Sequence, residues 1–220
     1  AQVDFDSACR IESRYFTELT MGQVSKNIIN TFWYNLNEIK AGRNRPDGFD
    51  KHKFTHVGVV GAGMMGASIA YTCAIKGISV TLKDLTLENA DKGKDYSRKI
   101  LQKQITRGRM TEDKAQSILA LIKPSADVDD LSDCEFVIEA VFEDRDLKAS
   151  VTKESEMVLK ENIVFASNTS TLPITGLAQA SVRPAHFIGM HFFSPVDKMP
   201  LVEIICGEQT SDEALAKCYD

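Results

Sequence analysis

The residues able to do chemistry fall into three groups along the chain. Gly61-Ala62-Gly63-Met64-Met65-Gly66 follows the apolar run His56 to Val60, a second apolar run from Ile78 to Leu82 ends at Asp84, and His191 and Glu203 stand further on. Each glycine has its own task. Gly61 lets the chain turn sharply out of a strand, Gly63 leaves no side chain between backbone and phosphate, and Gly66 lets a new helix pack closely on a sheet. The helical stretch Ala67 to Lys76 follows, its first free N–H groups aimed at the phosphates. Asp84, about 20 residues downstream, stands where a carboxylate accepts hydrogen bonds from a ribose diol and repels a 2′-phosphate, which selects NAD over NADP. The strand before, the helix after and the acid at that distance together mark a βαβ dinucleotide unit, with Met64 and Met65 on its phosphate turn. Side chains alternate along a strand, so Lys83 should point away from the site.

The second group lies at the ends of later apolar runs. Glu135 to Val141 reads as a buried parallel strand, followed by Phe142-Glu143-Asp144 and a helix through Lys160. Ligands of open parallel sheets sit outside the carboxyl ends of the strands, so Val141, Phe142 and Glu143 should border the cofactor. The same geometry brings Ser167-Asn168-Thr169-Ser170-Thr171, after the strand Ile163 to Ala166, to the mouth of the site. Its hydroxyl and amide groups suit a ribose, a carboxamide or a substrate oxygen, and Ser170 or Thr171 can alternatively cap the helix that follows.

In the third group, Phe187 to Met190 is a strand delivering His191 at its end. Phe192-Phe193-Ser194-Pro195-Val196 is a rigid turn, and Leu201 to Ile205 a returning strand. Glu203 is a carboxylate inside that apolar strand, costly unless paired, and His191 is the nearest partner in a hairpin-like return. Such a pair fixes one imidazole tautomer, leaves the other nitrogen to take a proton and stabilises the imidazolium, as a base for alcohol oxidation must.

The elements that position these groups suggest a doubly wound α/β Rossmann-type sheet over 51–220, preceded by a helical extension and linker over 1–50. Asp4 or Asp6 can cap a helix through about Leu19, and Gln23 to Lys40 carries Val24, Ile28, Ile29, Phe32, Trp33, Leu36 and Ile39 at helical spacing. Gly42 and Pro46 then mark a linker. Two amphipathic helices do not bury their stripes alone, so Phe32 and Trp33 should pack as core on the downstream domain or on one upstream. The chain begins at Ala1 inside a helical pattern and reads as a piece of something larger. Beyond Asp84, Leu87 to Gln104 and Glu112 to Leu121 read as a helix pair projecting between strands. Its lysines and arginines form a solvated face or, alternatively, meet an anionic substrate handle.

Composition narrows the classes. The 220 residues are 43% hydrophobic and 26% charged, with a formal net charge of -5, which supplies a core and no basic face for nucleic acid or an anionic membrane. Five cysteines, an odd number without a C-x-x-C pair, read as reduced thiols, with Cys73 and Cys134 as small hydrophobes; four scattered histidines lack metal-ligand spacing, so no metal is expected. No run approaches the roughly 20 apolar residues of a membrane span, and the N-terminus has no signal-peptide core. These readings point to the cytoplasm, or to the mitochondrial matrix in a eukaryote.

The glycine turn, Glu139-Ala140-Val141-Phe142-Glu143, Ser167-Asn168-Thr169-Ser170 and His191-Phe192-Phe193-Ser194-Pro195-Val196, with Glu203 following, closely resemble the L-3-hydroxyacyl-CoA dehydrogenases of fatty acid β-oxidation over residues 54 to 207. The resemblance is greatest to the form in a multifunctional α-subunit, where a hydratase/isomerase domain precedes the dehydrogenase; residues 1 to 50 are similar to the tail of that domain. It implies that His191 is the catalytic base, Glu203 its partner and Ser170 a contact for the substrate oxygen and the nicotinamide region. Met65, Asp84, Val141, Phe142, Glu143 and Lys148 would line the NAD site, with Asn168 and Ser194 beside them. The family's His-Phe-Phe turn often continues Asn-Pro, whereas here it is Ser194-Pro195. The resemblance further implies an acyl-CoA substrate, a thiolase subunit and self-association in the full-length protein, and a C-terminal helical domain beyond Asp220, without which turnover should be poor. Another β-hydroxyacid dehydrogenase, or a non-catalytic NAD-binding module, would share the same cradle.

Overall fold

The computed structural model describes residues 2–220, and these fall in two units that divide after Pro46. The first unit is helical: α1 (Phe5–Met21), α2 (Gln23–Ile29), a π-helical stretch Asn30–Asn35 and α3 (Leu36–Lys40). Asp4 caps α1 by accepting from Ser7 N at 2.9 Å. Phe5, Phe16, Leu19, Val24, Phe32 and Trp33 are all exposed. Phe32 and Trp33, expected to pack as core on a downstream or an upstream domain, are thus uncovered within the helical unit itself. Four helical segments in series supply no second layer to cover an apolar stripe.

The second unit is a seven-stranded sheet in the order β3-β2-β1-β4-β5-β6-β7. Its strands are β1 (His56–Val60), β2 (Ser79–Lys83), β3 (Ile122–Ser125), β4 (Phe136–Glu139), β5 (Val164–Ser167), β6 (Phe187–Phe192) and β7 (Val202–Cys206). All neighbours are parallel except β6 and β7. The sheet is buried on both faces, which explains the nearly continuous apolar runs. Val57, Val59, Phe136, Ile138, Val164 and Ala166 pack on one side with α4 (Met64–Ile75) and α5 (Leu87–Thr106). Val60, Val137, Phe165 and Phe187 pack on the other with α7 (Arg145–Glu156) and α8 (Ile174–Ala178). Cys73 and Cys134 lie in this interior, and burial pushes their thiols up to about 12 and about 11, unreactive at neutral pH.

One expectation, one omission and one alternative need correction. The helix pair does not project: α5 buries Ala90, Gly93, Ser97 and Leu101, and a Cβ on Gly93 would stand 2.8 Å from that of Ala62. Its cations include Lys92 and Arg98, paired with Glu88 and Asp95 on the same helix. After α6 (Glu112–Ala120) the chain makes β3, which the sequence conceals because Lys123 and Pro124 interrupt its apolar pattern; an edge strand tolerates such a proline. Finally, neither Ser170 nor Thr171 caps α8, whose N-cap is Pro173. α9 (Asp212–Tyr219), capped by Ser211, closes the chain.

Candidate active site

The chain order sets the location. It crosses from β1 through α4 to β2 and β3 on one side, then returns to β4 on the other flank of β1, so the crevice between β1 and β4 is a topological switch point. Gly61, at φ 95°, turns the chain there, and a Cβ on it would lie 2.8 Å from the Ala140 carbonyl oxygen. A Cβ on Gly66 would overlap the Gly61 carbonyl, so the first turn of α4 rests directly on the end of β1. Gly63 faces open space. The turn is thus closed behind Gly61 and Gly66 and open in front of Gly63, where the free N–H groups of α4 begin, as a pyrophosphate requires.

A cavity of about 350 Å³ extends from this turn, lined by Gly61, Gly63, Met64, Met65, Asp84, Val141 and Phe142 among others. Asp84 Oδ2 accepts from Ala62 N at 2.6 Å, and Oδ1 accepts from Leu85 N at 2.7 Å and from Asn89 Nδ2 at 3.3 Å. The carboxylate is therefore clamped to the glycine turn. Lys83 does not leave the site altogether: its ammonium pairs with Glu154 at 3.1 Å, and both residues line the far wall of this cavity. Alternation puts Lys83 on the α7 side of the sheet, but the cavity wraps around the end of β2.

A second cavity of about 340 Å³ shares Met65, Ala140 and Val141 with the first and adds Glu143, Asn168, Ser170, His191, Phe192, Phe193 and Ser194. His191 and Glu203 are directly paired across β6 and β7, with Nδ1 2.8 Å from Glu203 Oε2. Nδ1–H donation to the carboxylate leaves the lone pair on Nε2. The Phe193 ring lies 4.6 Å from the imidazole, and Asn168 Oδ1 accepts from Phe192 N at 2.9 Å, tying the histidine strand to the β5 loop. The premise about Glu203 fails in one respect. β7 is an exposed edge strand and the Glu203 side chain is 53% exposed, so strand register, rather than desolvation, imposes the pairing.

The hydroxyl cluster turns toward Glu143. Its Oε1 accepts from Thr169 Oγ1 at 2.6 Å, Ser170 N at 2.9 Å and Thr171 N at 3.2 Å. Partial burial pushes the Glu143 carboxyl up, but these bonds and the nearby Lys148 ammonium outweigh it and hold the group at about 2.

Lys148 departs from expectation. It lines neither cavity and is 1% exposed, with Nζ at 2.8 and 3.1 Å from the two oxygens of Glu139 and 3.5 Å from Glu143 Oε2. One turn of α7 separates it from its cap Asp144, so the side chain runs under the β4 loop instead of into the cleft. The sequence reading missed Glu139, although the signal applied to Glu203, a carboxylate in an apolar strand, was present. Gly66 and Glu203 likewise stand behind the cavity walls rather than on them.

Residues 56–220 match the family described as 3-hydroxyacyl-CoA dehydrogenase, NAD binding domain, and the chain belongs to it. Among curated relatives, the fatty acid oxidation complex subunit alpha of Psychrobacter arcticus is 38% identical over 211 residues, covering 96% of this chain and 29% of that protein. That of Psychrobacter cryohalolentis is 37% identical with the same coverage. The chain thus spans under a third of these relatives, and the match reaches into the helical unit. Among solved structures, (S)-3-hydroxybutyryl-CoA dehydrogenase from Ralstonia eutropha aligns with a TM-score of 0.72 at 43% identity, over 74% of this chain and 58% of that one. FadB2 of M. tuberculosis aligns with a TM-score of 0.73 at 37% identity, over 76% and 59%.

Proposed function

We propose that the chain is the NAD-binding part of an L-3-hydroxyacyl-CoA dehydrogenase in which His191 is the base. The observation that carries this is the His191–Glu203 pair, in a cavity that shares Met65, Ala140 and Val141 with the one reached by the glycine turn and Asp84. The residues at the turn fit the cofactor, since Gly63 faces open space beside unpaired helix N–H groups and Asp84 offers a carboxylate to a ribose. When bound, NAD supplies the hydride acceptor. Nε2 of His191 takes the proton of the substrate's 3-hydroxyl, and Glu203 stabilises the imidazolium through Nδ1–H. Ser170 and Asn168 hold the substrate oxygen or the carboxamide at the cavity mouth, while Phe193 packs beside the imidazole.

On this reading residues 1–50 form the end of a preceding hydratase/isomerase domain, supported by the match of 96% of the chain to alpha subunits of fatty acid oxidation complexes. The same names make those relatives subunits of a complex, so the whole protein is read as having a partner subunit, which the family resemblance makes a thiolase, and as self-associating. No helix among the described residues is long and apolar enough to cross a membrane. The test is NADH oxidation with acetoacetyl-CoA by the longest expressible form of the protein, alongside free 3-keto acids. Thioester-dependent turnover that falls with His191→Gln supports the proposal. Equal turnover of free acids favours another β-hydroxyacid dehydrogenase, and NAD binding without turnover favours a non-catalytic module.

A further inference from the structure

Glu139 and Lys148 form the most deeply buried charged group in the described residues, and the proton-transfer chemistry uses neither. Both are 1% exposed. Glu139 is fully engaged: Oε1 accepts from Lys148 Nζ at 2.8 Å and Val141 N at 2.7 Å, and Oε2 from Lys148 Nζ at 3.1 Å and Ser167 Oγ at 2.7 Å. Its own carbonyl accepts from Asn168 N at 2.7 Å. A single side chain thereby joins the ends of β4 and β5 to α7, beneath the loops that carry Glu143, Asn168 and Ser170. A buried ion pair is a poor stabiliser compared with apolar residues of equal volume, so its worth lies in what it holds in place.

What it holds is a charge balance. Lys148 lies between two carboxylates, bidentate on Glu139 and 3.5 Å from Glu143 Oε2. Glu139 satisfies the ammonium from behind, so the row Glu139–Lys148–Glu143 carries one net negative charge, and the member that faces the His191 cavity is Glu143. Without the Glu139 charge, Lys148 would neutralise Glu143 and the face would present none. The nicotinamide ring carries a positive charge in NAD⁺ and none in NADH, so a net charge at this face discriminates between the two. We infer that Glu139 is a positioning residue that commits Lys148 to the interior, leaves the Glu143 charge facing the nicotinamide end, and so sets the preference of the site for oxidised over reduced cofactor. The inference rests on the cofactor reading proposed above.

The experiment measures NAD⁺ and NADH affinities of the 220-residue chain by calorimetry, with melting temperature as the control for folding. Removing one charge beside a partly solvated site should lower the ratio of NAD⁺ to NADH affinity about tenfold in Glu139→Gln, with NADH affinity little changed. In Glu139→Gln/Lys148→Met both inner charges are gone and Glu143 keeps its own, so the ratio should return to within about twofold of the unmodified chain. A general loosening of the loops would instead weaken both cofactors together and leave the ratio unmoved. A folded Glu139→Gln variant with an unchanged ratio, or a double variant whose ratio falls as far as the single, overturns the inference. If Glu139→Gln does not fold, the double variant remains the test, and a ratio lowered beyond about twofold overturns the inference. An unmodified chain that binds neither cofactor overturns the cofactor reading, and this inference with it.

Discussion

Replacing Asp84 tests the cofactor assignment most directly, and the structure sets the size of the effect. An ionised carboxylate offers about four lone-pair positions. Three are engaged, by Ala62 N at 2.6 Å, Leu85 N at 2.7 Å and Asn89 Nδ2 at 3.3 Å, the last of them long. Room remains for one strong ribose hydrogen bond, and for a second if Asn89 gives way. A hydrogen bond to a charged group is worth about 1.5–3 kcal/mol net, so Asp84→Ala should weaken NAD binding roughly 10- to 150-fold. Asp84→Asn keeps an acceptor and loses the charge, which should cost about half as much, near 1 kcal/mol. Because the carboxylate also repels a 2′-phosphate, the preference for NAD over NADP should fall further than NAD affinity itself. Calorimetry with NAD and NADP at fixed ionic strength reads these numbers. Melting curves run beside it, since the Ala variant also strands the Ala62 and Leu85 N–H groups. Unchanged NAD affinity in a folded Asp84→Ala chain, or NADP bound by the unmodified chain as tightly as NAD, would refute the reasoning.

His191→Gln should lower turnover on acetoacetyl-CoA by about 10²- to 10⁴-fold while NAD affinity stays within about twofold, and Glu203→Gln should act on the same step. The two losses should combine less than additively in a double-mutant cycle; fully multiplicative rates would show that the 2.8 Å pair is not a functional unit. Gly66→Ala forces a methyl into the Gly61 carbonyl and should destabilise the fold by at least about 2 kcal/mol, read as a fall in melting temperature. The Glu143 carboxyl is held at about 2, below its ordinary value of 4.5, so its stabilising contribution is complete above about pH 4.5 and lost as pH falls toward 2. The side chain is a third exposed, so screening leaves about 1–2 kcal/mol. The melting-temperature gap between the unmodified chain and Glu143→Gln should shrink across that window, and a constant gap would refute the assigned bonds.

The parts of the site legible in the sequence are those governed by local rules. The glycine spacing, Asp84 at the end of β2 and the His191–Glu203 return each follow from strand period and turn chemistry within one or two adjacent elements. What the sequence concealed depends on elements far apart in the chain. The family resemblance alone placed Lys148 on the cofactor site, and that Glu139, nine positions earlier, holds its ammonium is seen only once α7 lies under the β4 loop. Lys83 looked absent from the site because alternation says nothing of how a cavity wraps a strand end. The exposed Phe32 and Trp33 show the reverse limit: a helical stripe reveals that a residue seeks cover, not whether the chain supplies it.

The one antiparallel strand has a physical reason that joins fold to chemistry. Asp84, Gly61, Glu143, Ser170 and His191 follow or close β2, β1, β4, β5 and β6, so they form a row at the carboxyl edge of the parallel sheet. Neighbouring strands lie about 4.8 Å apart, so the four spacings from β2 to β6 cover about 19 Å, the reach needed by an extended dinucleotide with its ribose at one end and its reacting ring at the other. A further parallel strand would begin at the opposite edge of the sheet and need a long crossover before any residue could reach His191. An antiparallel strand begins at the edge where β6 ends. Eleven residues after His191 the chain is already in β7, and its second residue, Glu203, lies in register with the imidazole. The reversal of direction therefore places a carboxylate behind the base by a short turn, and the exposure of that edge strand does not weaken the pairing, because backbone register fixes it.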